Sequence, residues 1–247
     1  MYDFTYEKYG KFPHKWIHGL QKKHAIKKAD AIICISESTK MDLLYYFPEI
    51  PEERLFVTHL AASDCFFSFG TQSSSRFDEP YVLFVGARGG YKNFKSVVYA
   101  LSAVPSVKLL FVGGGPITTE EGDLLNKLLS NRFQHMGSIS SEQLNKLYND
   151  ALCLIYPSQY EGFGIPILEA MAADCPVIAA NCSSIPEVAN NCAVLLDTPD
   201  PEAIANAVKT MMDKDVNDRY VALGRENAKG FTWDKTVEKT IEIYSSL

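Results

Sequence analysis

The chain has 247 residues, 47% of them apolar and 22% charged, with a formal net charge of −6 at pH 7. That length buries a large core and allows one or two domains, and the acidic balance argues against a nucleic-acid partner, which needs clustered Lys and Arg. No apolar run approaches the ~20 residues that span a bilayer and no signal-peptide pattern opens the chain, so a cytoplasmic protein is expected.

Residues 1–28 are basic and aromatic. Lys8, Lys11, Lys15, Lys22, Lys23, Lys27 and Lys28 face only Asp3 and Glu7, while Trp16, Ile17, Leu20 and Ile26 supply an apolar side. A basic amphipathic helix of this kind can lie on an anionic surface, as a peripheral contact with the inner face of a membrane. The plainer alternative is a core-packed helix with a solvated lysine face. His14 and His18 stand at the spacing of two zinc ligands, but Lys-Trp-Ile between them lacks the glutamate of a zincin, and no metal site is expected there.

Ala29 to Ile35 predicts a buried strand, Ser38 to Phe47 a helix capped by Ser38 or Ser36, and Leu55 to His59 a second strand. Two strands are too few for an independent doubly wound sheet. The six cysteines show no C-x-x-C pairing, and Cys34 and Cys153 fall in predicted strands, which makes reduced core thiols the expectation. A polar stretch within Ser63–Glu79, including Gly70-Thr71-Gln72-Ser73-Ser74-Ser75, reads as an interdomain linker over 66–79.

From Pro80 a regular alternation begins. Strands are predicted at Tyr81–Val85, Val107–Val112, Phe133–Met136, Leu152–Tyr156, Val177–Ala180 and Ala193–Leu196, with helical patterns between them. This is the pattern of a parallel sheet covered on both faces, an α/β doubly wound fold. In such folds ligands bind beyond the carboxyl ends of the strands, so the loops after Val85, Val112, Met136 and Tyr156 carry the interest.

After the first of these strands, Gly86-Ala87-Arg88-Gly89-Gly90-Tyr91-Lys92-Asn93 allows close backbone approach at Gly86 and brings Arg88 and Lys92 into one short loop. Paired cations can stabilise a departing diphosphate without a metal; a solvated surface loop is the bland alternative. After the second strand, Gly113-Gly114-Gly115-Pro116 turns toward Thr118-Thr119, which are plausible helix caps. It is not a dinucleotide fingerprint, because Thr118 stands where the third glycine belongs, but Gly114 can press a backbone edge against a nucleobase. His135 reads as a satisfied core or rim histidine.

After the fourth strand comes Glu161-Gly162-Phe163-Gly164-Ile165-Pro166-Ile167-Leu168-Glu169. The glycine turn opens a helix with Pro166 in its first turn, which points backbone N–H groups and the positive end of the dipole above the strand end, where phosphate is the usual ligand. Glu161 can reach a polar group beyond the phosphates, and Glu169 can accept from two adjacent ribose hydroxyls. Ordinary dipole chemistry is the alternative for a glutamate in a first turn.

The stretch from Ser158 to Met171, together with Cys175-Pro176-Val177-Ile178-Ala179-Ala180 and Ser183-Ser184-Ile185-Pro186-Glu187-Val188, resembles the E-x7-E signature of the retaining glycosyltransferases of family 4. The resemblance implies a GT-B-like fold of two Rossmann-like domains, a C-terminal one for a nucleotide-sugar and an N-terminal one for the acceptor. Ala31 to Lys40 also resembles the family, at the end of its N-terminal domain. The implied layout is a remnant of the acceptor domain at 1–65, the linker at 66–79, the donor domain at 80–230, and a C-terminal helix at 231–247 packing toward the N-terminal part.

The resemblance further implies a metal-independent retaining hexosyltransferase that needs no cofactor. Its partners are a UDP- or GDP-linked donor and a glycan or lipid-linked acceptor. Arg88 and Lys92 match cations of the family's G-R-x-x-x-K pattern, Arg88 displaced by one residue. Ser138 falls in its base-recognising turn, and Gly162, Phe163, Gly164 and Ile165 address the donor sugar together with Glu161. Because the earlier part of the acceptor domain has no counterpart, the chain alone is expected to transfer poorly, and a donor-binding module without turnover is the rival reading.

Two patterns are set aside. Asp213-Lys214-Asp215 follows a helix rather than a strand and reads as a solvated helix junction, not a metal-binding D-x-D, and its continuation fails as a calcium loop. Glu161 and Glu169 as a glycosidase pair fits less well than ribose binding by Glu169. Asp174 replaces the family's usual glycine at a helix C-terminus, and its charge is expected to oppose the dipole at a small cost in local stability.

Overall fold

The computed structural model describes residues 1–10, 14–70 and 80–247, the side chains of 14–18 excepted. The side chains of His14, Trp16, Ile17 and His18, and most of the predicted linker, therefore lie outside the described parts.

The first part of the chain forms α1 (Thr5–Tyr9), α2 (His14–Lys28), β1 (Ile32–Cys34), α3 (Glu37–Tyr46) and β2 (Leu55–Val57). From residue 80 the order is β3 (Tyr81–Val85), α4 (Phe94–Ser102), β4 (Lys108–Val112), α5 (Thr119–Leu129), β5 (Phe133–His135), α6 (Ser141–Asp150), β6 (Cys153–Tyr156) and α7 (Ile165–Ala172). Then come β7 (Val177–Ala180), α8 (Ile185–Ala189), β8 (Val194–Leu196), α9 (Pro201–Met211), α10 (Lys214–Ala228) and α11 (Trp233–Ser245).

The six strands from β3 on form one sheet in the order β5-β4-β3-β6-β7-β8, every pairing parallel. Alternate residues of each strand feed opposite cores. Tyr81, Leu83, Leu110, Leu154 and Val177 pack under α6, α7 and α8. Val82, Phe84, Leu109, Phe111, Ile155 and Ile178 pack under α4, α5 and α9. Burial on both faces is why these strands read as unbroken apolar runs. Each fully buried Leu, Ile or Phe contributes roughly 1.5–3 kcal/mol.

In the first part of the chain, β1 and β2 pair in parallel from Ile32–Leu55 to Cys34–Val57, which shortens both predicted strands to the residues that have a partner. Ser36 settles the choice of cap for α3: it is the N-cap, and its side chain accepts from Thr39 N. Phe4 and Ile26 are buried in one core with Cys34, Leu43 and Phe47, so part of the apolar side of 1–28 faces inward. Lys22 is paired with Glu7 and Lys8 with Asp42, which draws two of the lysines into the protein. All six cysteines are free thiols, and burial raises that of Cys34 to about 11.

Residues 66–70 of the predicted linker are docked rather than loose: Phe67 N donates to Asn145 Oδ1 and Phe69 N to Asn149 Oδ1, both on α6. Helix α11 returns to the first part of the chain, where Thr236 Oγ1 donates to His59 O at 2.7 Å. The expected cost at Asp174 is offset. Its φ of +58° is left-handed, as anticipated, but Arg225 donates two hydrogen bonds to its carboxylate, at 2.8 and 2.5 Å, and the Ser68 hydroxyl adds a third. The opposing charge is neutralised by side chains that sequence spacing does not bring together. Among the described residues no helix is long and apolar enough to cross a membrane.

Candidate donor site

The sheet order reverses between β3 and β6. Chain leaving β3 runs outward toward α4 and β4, whereas chain leaving β6 runs toward α7 and β7. A crevice opens at that point beyond the strand ends, the place where doubly wound sheets bind ligands. It has a volume of about 340 Å³. Gly86 from the β3 end, Lys92 from the following loop, and Tyr156, Glu161 and Gly162–Pro166 from the β6 end line it, with Tyr2 and Asp3 closing one side.

Two of the residues expected to carry chemistry meet here. Lys92 Nζ lies 2.6 Å from Glu161 Oε1, and the two side chains are only 14% and 13% exposed. The ammonium also stands 5.4 Å from the ring centroids of both Tyr91 and Tyr156, a box that holds the cation at the cleft wall. Burial, followed by the charge of Glu161, pushes the Tyr156 phenol well above its ordinary value, so it stays a neutral donor. Sequence reading did not single out Tyr156; a tyrosine ending an otherwise apolar strand was the available signal.

The turn that follows is fixed on several sides. Gly164 is the N-cap of α7 with φ +111°, a conformation that L side chains rarely adopt. A Cβ on Gly162 would come within 2.2 Å of Tyr2 O, so the first part of the chain presses directly on the motif. Ser184 Oγ reaches Glu161 O and Phe163 O at 3.0 and 2.8 Å, and Glu161 N donates to Ser183 Oγ. Phe163 is 3% exposed, and its ring packs against His59 and Phe231. It anchors the turn, while Ile165 and Pro166 present the N-terminus of α7 to the cleft.

Arg88 goes elsewhere. Its side chain is 3% exposed, and it donates to Gly113 O, Gly115 O and Pro116 O and to the Glu121 carboxylate. It also lies against the Phe111 ring. The guanidinium braces the turn after β4, and the expected pairing of Arg88 with Lys92 on a diphosphate is not what this arrangement offers. The reason is direction: three residues past β3 the Arg88 side chain leaves toward β4, whereas Lys92 leaves toward β6. Burial alone would raise the Glu121 carboxyl, but bonds from Thr118 and Arg88 outweigh it and hold it below the usual value. Gly114 wraps this same guanidinium, as a Cβ there would meet Arg88 Nη1 at 2.6 Å. His135 stacks on Phe111 at 4.8 Å with Nε2 3.0 Å from Gly113 O, a satisfied rim histidine as read from sequence. Ser138 is exposed in the turn after β5.

Glu169 lies one turn into α7, half-buried, with Oε2 accepting from the Tyr148 hydroxyl at 3.1 Å. Burial raises its carboxyl above the usual value, against the lowering effect of the Tyr148 bond. It is outside the residues lining the crevice with Glu161. The two glutamates thus occupy different environments, one ion-paired and one desolvated. Asp213 caps α10, its carboxylate accepting from Asp215 N and Val216 N, which accounts for the D-x-D pattern as a helix junction. Among the described residues no three His, Cys, Asp or Glu side chains gather as a metal site would require.

Residues 71–229 match the family described as glycosyl transferases group 1. The chain belongs to this family. Among relatives of the group 1 transferases, the O-antigen chain mannosyltransferase B of Escherichia coli is 28% identical over 239 residues, which cover 90% of this chain and 62% of that protein. A sucrose-phosphate synthase from Thermosynechococcus elongatus superposes with a TM-score of 0.82 at 23% identity, covering 99% of this chain and 66% of that one. Anabaena Alr3699/HepE in complex with UDP-glucose superposes at 0.81 and 18% identity, over 93% of this chain and 67% of that one. These likenesses carry the GT-B-like α/β fold. The chain spans roughly two thirds of the length of the proteins it matches.

Proposed function

We propose that this chain is the donor-binding part of a retaining, metal-independent glycosyltransferase. It moves a hexose from a UDP- or GDP-linked donor to a glycan or lipid-linked acceptor. The observation that carries the reading is the Lys92–Glu161 pair at the N-terminus of α7, in the crevice where the sheet order reverses. When the bond between the anomeric carbon and the diphosphate breaks, negative charge builds on the leaving phosphate. The Lys92 ammonium and the amide end of α7 supply the compensating field. Glu161 takes donor-sugar hydroxyls, and Glu169, one turn further along, takes the ribose. The UDP-glucose in the HepE complex supports a uridine donor, and the E. coli relative's mannosyltransferase name supports a hexose and polysaccharide synthesis.

UDP and GDP titrated with and without EDTA test the site. Binding that persists in EDTA is expected. Binding that vanishes with the chelator and returns with magnesium refutes the assignment of the field to Lys92 and α7. A second reading, donor binding without turnover, draws on the share of its relatives' length that the chain spans. Transfer assayed with the chain alone, and again with the N-terminal part of a relative added, separates the two.

A further inference from the structure

The N-terminus of α3 lies against the donor motif. Ser36 Oγ is 2.7 Å from Gly162 O and Thr39 Oγ1 is 3.1 Å from the same oxygen, across 126 and 123 residues of sequence. Both side chains are fully buried. Each hydroxyl carries one proton. Ser36 already accepts from Thr39 N as the cap of α3, and its one proton has two acceptors in reach, Gly162 O at the shorter 2.7 Å and Thr39 Oγ1 at 3.0 Å. Thr39 shares its proton between Gly162 O and Tyr2 O, the latter at 3.2 Å.

A peptide unit is planar and trans, so fixing a carbonyl fixes the N–H of the next residue in the opposite direction. Ser184 shares its one proton between the carbonyls of Glu161 and Phe163, which orients the N–H groups of Gly162 and Gly164. The carbonyl between them, that of Gly162, is fixed by Ser36 and Thr39, and with it the N–H of Phe163. Hydroxyls from two residues on this half-buried carbonyl exceed what capping α3 requires, since the cap is complete with Thr39 N alone.

We propose that Ser36 and Thr39 are positioning residues for donor-sugar recognition: by holding Gly162 O they aim the Glu161–Gly164 backbone at the sugar of the nucleotide-sugar. This rests on the donor-site reading above. It makes the donor site dependent on a segment outside the donor domain, and it assigns α3 a function beyond packing.

The test uses Ser36→Gly, which removes the hydroxyl while costing a cap only a few tenths of a kcal/mol, and Thr39→Val, which keeps the shape. Thr39→Ser serves as the conservative rescue. UDP, UDP-glucose, GDP and GDP-mannose are titrated calorimetrically, and amide exchange is followed across residues 161–165 without ligand. Each of the first two variants is expected to lose roughly 2- to 12-fold in affinity for the nucleotide-sugar, the range of one hydrogen bond, with the free diphosphate changed less than about twofold. Thr39→Ser restores the preference, and exchange at Phe163 rises in the other two. Equal losses for nucleotide and nucleotide-sugar, or an unchanged preference, overturn the positioning role. A wild type that binds none of the four ligands refutes the donor-site reading and with it the sugar-aiming role. Unchanged exchange at Phe163 overturns the backbone-fixing step whether or not any ligand binds.

Discussion

Removing either partner of the Lys92–Glu161 pair strands the other in the cleft wall. For a fully buried pair such a loss costs about 3–5 kcal/mol. With both side chains 13–14% exposed, residual solvation lowers this, and we expect about 2–3 kcal/mol for Lys92→Met and for Glu161→Gln. At about 2–4 °C per kcal/mol for a chain of this size, each lowers Tm by roughly 4–12 °C. The double variant has no charge to strand. Its loss should fall short of the sum of the two single losses by about 1.5–3 kcal/mol, the worth of a charged hydrogen bond. Thermal melts and urea titrations of the four proteins close the cycle. A double-variant loss equal to the sum of the single losses within about 0.5 kcal/mol would show that the two charges do not sense each other, and the proposed ion-paired resting state of the cleft would fall.

Glu169→Gln should raise Tm at pH 7 while weakening UDP or GDP binding by about 2–4 kcal/mol. Burial keeps the native carboxyl protonated to higher pH than in the unfolded chain, so stability declines as pH rises between the two values and the cost persists at neutrality. Melts from pH 4 to 8 should show that decline flattened in the variant, and an unchanged profile removes the desolvation account. Glu187 runs the other way. Burial alone would raise it, but bonds from His59 and from the N–H groups of Glu37 and Ser38 outweigh that and hold it below its usual value. Its contribution is present above the unfolded value of about 4.3 and is lost as pH falls through the lower native one, so Glu187→Gln should blunt acid unfolding in that range. Arg88→Ala should cost about 2–4 kcal/mol of stability, measured in urea, by orphaning the carbonyls of Gly113, Gly115 and Pro116. It should change nucleotide affinity less than about threefold, and a larger loss than that of Lys92→Met would return Arg88 to the phosphates.

The sheet was readable because strands buried on both faces are written as apolar runs, and each predicted strand from Tyr81 on is present within a residue at either end. The order of those strands was not readable, since it depends on which faces the helices cover rather than on any local pattern. Lys92 and Glu161 could each be placed at a strand's carboxyl end, but their meeting follows from β3 and β6 being neighbours. Arg88 shows the limit from the other side: its place in the loop after β3 could be read, while the direction of its side chain is set by the turn Gly113–Pro116, which spacing does not encode. Ser36 was visible as a cap of α3, yet its bond to Gly162 spans 126 residues and leaves no trace in periodicity.

The reversal between β3 and β6 also shapes how the sheet can assemble. Val82 pairs with Leu109, 27 residues on, and Leu154 with Val177, 23 residues on, so each half of the sheet closes over short loops. The seam between the halves pairs Val82 with Cys153, 71 residues away. Loop-closure entropy favours the two halves zipping first and the seam last. A donor lying across Lys92 on one half and Glu161 on the other would therefore act as a kinetic clasp. It holds together the junction that forms late, and it slows the escape from the native state that begins by parting β3 from β6.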